Sequence, residues 1–159
     1  MLTNKKDAYI SVIKAFEQCS IETGIKVKLA FVESEDLEVN PKKDKESSER
    51  YEKAWATIKS SQGMFVPGGF GFRGSIGKIA AIKYARENKV PFFGICYGFQ
   101  LAVVEFCQNV LGWNAISEEN VAEYDKSPDL KKVIIFMPEI SKDFMGGTMR
   151  LGKQRVLLE

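Results

Sequence analysis

No histidine occurs anywhere in the 159 residues. A mechanism that needs an imidazole base, or a metal site built on histidine, cannot be completed by this chain alone. Cysteine is scarce too. Cys19, Cys96 and Cys107 are odd in number and lack any metal-ligand spacing, which argues against a disulfide framework and a zinc site. Cys19 and Cys107 read as free thiols of a reducing compartment. No apolar run approaches the roughly 20 residues a membrane span needs, and Met1 to Lys6 lacks the apolar core of a signal peptide. A surplus of charge is missing as well: 23 basic against 21 acidic residues leave +2. That balance argues against nucleic acid or membrane as a partner. What is present, 45 % hydrophobic and 28 % charged residues, is ordinary for a globular chain long enough to bury a core.

Apolar spacing predicts helices alternating with strands. Asp7 to Thr23 carries a stripe of Tyr9, Val12, Ile13 and Phe16, and Gly24 ends it. Lys26 to Val32 reads as a short strand, and the polar run Pro41 to Ser48 as a surface loop. Ser48 to Ser60 is helical, with Tyr51, Ala54, Trp55 and Ile58 on one face. Gly63 to Val66 is a strand, and Ser75 to Glu87 a helix that Ser75 is placed to cap. Val90 to Ile95 has the continuous apolar character of a central parallel strand, followed by a helix from Tyr97 to Val110. Strands are expected at Val133 to Met137, Thr148 to Leu151 and Arg155 to Leu158. The pattern predicts one α/β domain over residues 1–159: a mostly parallel central sheet flanked by helices, flavodoxin-like.

Two loops carry the chemistry. Gly94-Ile95-Cys96-Tyr97-Gly98 joins a strand to a helix and has the form of a nucleophile elbow, in which glycines permit a crowded turn that lifts the thiol clear of the sheet. A helix N-terminus favours thiolate, and the Tyr97 N–H is placed as one half of an oxyanion hole. By itself, such a pentapeptide is more often a buried structural cysteine. The second loop, Pro67-Gly68-Gly69-Phe70-Gly71, also leaves the carboxyl end of a strand, where ligands of parallel sheets bind. Its glycine pair permits the close backbone approach that would complete the hole.

Val66 to Gly74, Gly77-Lys78-Ile79, Ala85-Arg86, Pro91 to Ala102 and Met145 to Gly152 together resemble class I glutamine amidotransferases. More narrowly, Phe70-Gly71-Phe72-Arg73-Gly74 and Gly146 to Gly152 resemble the amidotransferase domain of the CTP synthases. That resemblance implies that Cys96 attacks the glutamine carboxamide to form a glutamyl thioester. Gly68, Gly69 and Tyr97 then fall on the oxyanion-hole and glutamine positions, and Gly98, Phe99 and Gln100 in the glutamine pocket. Phe70 and Arg73 fall in a lid that responds to GTP, and Arg150 in a run tied to the same effector. Glu119, with Glu118 as the alternative, matches the glutamate that grips the substrate amino group. Tyr97 and Phe99 depart from the family, which usually has leucine and methionine there.

The resemblance further implies a ligase that supplies ammonia for ATP-dependent amination of UTP to CTP in pyrimidine synthesis. It would be cytoplasmic and tetrameric, with no cofactor in this domain and ATP and Mg in a synthase domain. That domain is expected before Met1, and the family's catalytic His-x-Glu pair beyond Glu159, so the chain reads as a fragment that is inactive alone. A non-catalytic glutamine-binding or regulatory module is the alternative, favoured by the missing histidine. A peptidase or deglycase-like relative of the same elbow group is disfavoured by the Gly146 to Gly152 run.

Overall fold

In a computed structural model, residues 9–38, 44–120 and 127–136 are described. They fall in two compact units, Met1–Ser61 and Gln62–Glu159. The expected strands at Thr148 to Leu151 and Arg155 to Leu158, and the loop residues Pro41 to Lys43, lie outside the described residues.

In the first unit, helix α1 spans Ile10–Thr23 and ends at Gly24, whose φ of 68° is the left-handed geometry of a helix stop. Its predicted stripe, Tyr9, Val12, Ile13 and Phe16, is the half-buried side. The strand expected at Lys26 to Val32 does not form: the segment is irregular, because an alternating pattern makes a strand only where another strand pairs with it. A 3-10 turn, Ser34–Leu37, follows, with Leu37 buried and Asp36 3.8 Å from Arg50. Helix α2, Lys45–Ser60, starts earlier than its apolar pattern suggests. The Asp44 carboxylate accepts hydrogen bonds from the Ser47 N–H at 2.7 Å and the Ser47 hydroxyl at 2.8 Å. That cap turns the end of the supposed loop into the first helical turn. Ala54 and Ile58 on its predicted face are buried.

The second unit opens with a β–α–β unit. Strand β1, Met64–Val66, leads through helix α3, Ser75–Glu87, to strand β2, Phe92–Gly94. The strands pair in parallel, Met64 with Phe92, Phe65 with Phe93 and Val66 with Gly94. Helix α3 has its expected limits, but Ser75 is not its cap. Gly74 holds that position at φ 70°, a left-handed conformation that glycine adopts without strain, and Ser75 is the first helical residue. Helix α4 spans Tyr97–Asn109. Strand β3, Ala115–Ser117, pairs in parallel with strand β4, Lys131–Ile134, across a bulge between Ile116 and Ser117. All the described pairing is therefore parallel, in two short two-stranded ladders.

Val66, Ile82, Tyr97 and Leu101 form the core of this unit, joined by Met64, Ile79, Phe92 and Ala102. Beside it, Glu105 of α4 is 1 % exposed and takes a forked bond from Arg86 of α3. Nη2 reaches Oε1 at 2.8 Å and Nε reaches Oε2 at 3.0 Å. That bond holds the Arg86 guanidinium protonated above its ordinary range. Among the described residues no helix is long and apolar enough to cross a membrane.

The Glu105 pair yields a double-mutant prediction. Arg86→Met should destabilise the protein more than Arg86→Met with Glu105→Leu, because the single change strands a buried carboxylate that the double change removes. Urea unfolding measures both. A double variant less stable than the single would show that the pair is not what Glu105 depends on.

Candidate active site

Cys96 sits at the junction of β2 and α4 with φ 51° and ψ −110°. Positive φ in a residue with a side chain costs about 1–3 kcal/mol and persists only where the surroundings impose it. Here they do. The Val66 carbonyl at the end of β1 accepts the Ile95 N–H at 3.1 Å, and the Ile95 carbonyl accepts the Gly98 N–H at 3.0 Å. A Cβ on Gly98 would lie 2.2 Å from the Val66 oxygen. One on Gly94 would lie 2.8 Å from the Gly98 carbonyl carbon. Both glycines of the pentapeptide are thus demanded by backbone contact, and the turn they permit leaves the Cys96 thiol exposed at the head of α4.

The glycine-rich loop meets this elbow. A Cβ built on Gly68 would stand 3.5 Å from the Cys96 Cβ, and one on Gly69 would stand 3.8 Å from Cδ1 of the Tyr97 ring. Backbone alone therefore lies against Cys96. Gly71, at φ 77°, is held from two sides. Its N–H donates to the Glu119 carboxylate at 2.6 Å, and its carbonyl accepts the Tyr97 hydroxyl at 2.5 Å. Phe70 and Arg73, in the same stretch, are both exposed.

Glu118 and Glu119 are adjacent in a 3-10 turn after β3, yet they separate in role. Glu118 turns to β4 and the residues just after it, accepting from Lys132 Nζ at 2.8 Å and from the Phe136 N–H at 2.9 Å. Those two bonds hold its carboxyl below the ordinary glutamate range, the Lys132 bond most strongly. Glu119 is the carboxylate that reaches the glycine loop. Gly98 is buried behind the elbow, while Phe99 is exposed and Gln100 half-buried on the first turn of α4. Arg150 lies outside the described residues.

Two residues that contact Tyr97 were not among the expected site residues. Asn120, buried, places its side-chain oxygen 3.3 Å from the Tyr97 hydroxyl. Lys78 Nζ stands 5.3 Å from the centre of the Tyr97 ring, a cation–π distance. Each is brought to Tyr97 by the tertiary fold.

The profile describing class I glutamine amidotransferases matches residues 5–158. The CTP synthase of Eremothecium gossypii is 44 % identical over 158 residues, which is 99 % of this chain and 27 % of that protein. CTP synthase 1 of Homo sapiens is 46 % identical over 157 residues, again 99 % of this chain and 26 % of the relative. The chain thus spans about a quarter of the length of these relatives. Among solved structures, the glutaminase domain of a Trypanosoma brucei CTP synthase with bound acivicin superposes with a TM-score of 0.73 at 35 % identity. The match covers 92 % of this chain and 51 % of that one.

Two expected outcomes follow from the geometry. Gly98→Ala should destabilise the protein by at least about 2 kcal/mol, since its methyl must displace the Val66 carbonyl and with it the β1–β2 ladder. A thermal melt unchanged by that substitution would disprove the close approach. The Glu118 carboxyl, followed by NMR, should titrate below the ordinary glutamate value of about 4.3. Its folded-state value is depressed, so its contribution to stability is present above the unfolded value and lost as pH falls through the folded one. Lys132→Met should move the midpoint upward, and an unmoved midpoint would contradict the assigned cause.

Proposed function

The chain belongs to the class I glutamine amidotransferases, and from that premise we propose that Cys96 is the nucleophile of a glutaminase site serving a CTP synthase. The observation that carries the reading is the strained Cys96 backbone at an exposed strand-to-helix turn, with Gly68 directly against it. The thiolate adds to the carboxamide carbon of glutamine. The negative charge that develops on oxygen is met by the N–H groups of Gly69 and Tyr97. Collapse of the tetrahedral adduct breaks the C–N bond, releases ammonia and leaves a glutamyl thioester, which water then hydrolyses to glutamate.

Glutamine is held by Gly68, Gly98, Phe99 and Gln100 around the elbow, and its amino group by Glu119. The commitment of Glu118 to Lys132 and Phe136 supports Glu119 over its neighbour. Phe70 and Arg73 form the lid that answers GTP, together with Arg150. In the full-length protein, ammonia passes to a synthase domain where ATP and Mg activate UTP for amination to CTP. That protein is a cytoplasmic homotetramer.

The reaction also needs a proton for departing ammonia and a base for water. General acid–base groups contribute about 10²–10⁴-fold to such steps. This chain has no histidine to supply them. Lysine, with an unperturbed pKa of about 10.4, stays protonated at neutral pH and is a poor replacement.

An electrophilic glutamine analogue, followed by mass spectrometry, should therefore label Cys96 ahead of Cys19 and Cys107. Ammonia release from glutamine should be at least about 10²-fold slower for residues 1–159 alone than for the full-length protein. Preferred labelling of Cys19 or Cys107 would overturn the assignment of the nucleophile. Equal turnover by the two proteins would place the base within this chain. A full-length protein that binds glutamine without releasing ammonia would favour the non-catalytic module.

A further inference from the structure

Residues 68–71 are Gly-Gly-Phe-Gly, a sequence with little conformational preference of its own. An oxyanion hole works only when its donors are fixed before the reaction begins, so this loop needs an external anchor. Its aromatic side chains do not supply one, since Phe70 is 85 % exposed and Phe72 is 48 % exposed. The hydrogen bonds converge on Gly71 instead.

Tyr97 is suited to hold it. The ring is 1 % exposed, packed with Val66, Ile82 and Leu101 in the core of the unit. Its edge lies under Gly69, and its hydroxyl donates to the Gly71 carbonyl at 2.5 Å. The Asn120 amide lies beside the same hydroxyl, with its Nδ2 placed to donate to it at 3.4 Å. Glu119, next in sequence to Asn120, takes the Gly71 N–H at 2.6 Å. Both polar groups of one peptide-flanking residue are thus tied down, one by α4 and one by the turn after β3. The residue that closes this arrangement is also the one that follows the nucleophile.

We infer that the Tyr97 side chain is a positioning residue for the glutaminase reaction, latching Gly71 and so fixing Gly68 and Gly69 over Cys96. Its ring sets the height of the loop and its hydroxyl sets the register. This role is separate from the backbone N–H that the same residue contributes to the oxyanion, and it rests on the glutaminase reading above.

The test is Tyr97→Phe in the full-length protein, which keeps the ring and deletes the hydroxyl. Hydrogen exchange at the Gly71 amide, whose own bond to Glu119 remains, should quicken by about tenfold as the loop loses its second, part-buried anchor. Amides in α3 and β2 should be unchanged. For glutamine hydrolysis kcat/KM should fall by about tenfold, chiefly in kcat, because a misplaced donor is felt most in the transition state. Unchanged Gly71 exchange would overturn the latch, whatever the kinetics. Faster exchange with unaltered glutamine kinetics would overturn its positioning role. A wild-type protein that does not hydrolyse glutamine, or a Cys96→Ala variant that still does, would defeat the glutaminase reading and leave the exchange result to judge the latch alone. Should Tyr97→Phe fail to fold, Asn120→Ala removes the hydroxyl's second neighbour. It should quicken Gly71 exchange in the same direction by a smaller factor, and Tyr97→Leu, which also deletes the hydroxyl, should quicken it by about tenfold; unchanged Gly71 exchange in the Tyr97→Leu protein would overturn the latch.

Discussion

The Val66 carbonyl and the α-carbon of Gly98 press against each other so closely that a Cβ at Gly98 would come within 2.2 Å of the oxygen. The same carbonyl accepts the Ile95 N–H, so the last residue of β1 is bound to the turn that follows β2. Because the first turn of α4 is pulled onto the strand end in this way, Cys96 has to take up positive φ to connect them. The exposed thiol and the backbone of the glycine loop beside it both follow from that contact. Glycine at two positions of the pentapeptide is a steric requirement of the turn.

Around the elbow, fixed and loose parts alternate. Tyr97, Leu101 and Val66 are core residues, and the Arg86–Glu105 pair holds α3 to α4 beneath them. Above lies a stretch rich in glycine, whose backbone comes close to Cys96 and whose glycines offer no side chain to hold it in place. Gly71 answers that weakness, with Glu119 on its N–H and Tyr97 on its carbonyl. The residues nearest Cys96 contribute backbone, and those one step away contribute the bonds that set where that backbone lies.

Glu118 and Glu119 illustrate how tertiary context divides labour between neighbours. Identical in chemistry and adjacent in sequence, they point to different elements. Glu118 pins β4 and the residues just after it through Lys132 and Phe136, whereas Glu119 bonds to the glycine loop at Gly71. Their two directions arise from the 3-10 turn, whose tight backbone rotates successive side chains far apart.

Local features were legible in the residues themselves. Helix α3 appears at its expected limits, Gly24 stops α1, and Gly94-x-Cys96-x-Gly98 forms the elbow, because each depends on short-range sterics and spacing. The α/β class follows from alternating periods of the same local kind. The strand expected at Lys26 to Val32 failed for the complementary reason: pairing is a property of two segments, and one pattern cannot supply a partner. The early start of α2 was missed because a capping carboxylate, Asp44, outweighed a polar composition. What only the tertiary structure decided is the meeting of Tyr97 with Gly71 and Asn120. Those residues are 26 and 23 positions away along the chain, and no local rule brings a hydroxyl to one carbonyl across that distance. The sequence determined that the Cys96 thiol would be presented at a turn. The packing of α4 against β1 and the turn after β3 determined which backbone would stand over it.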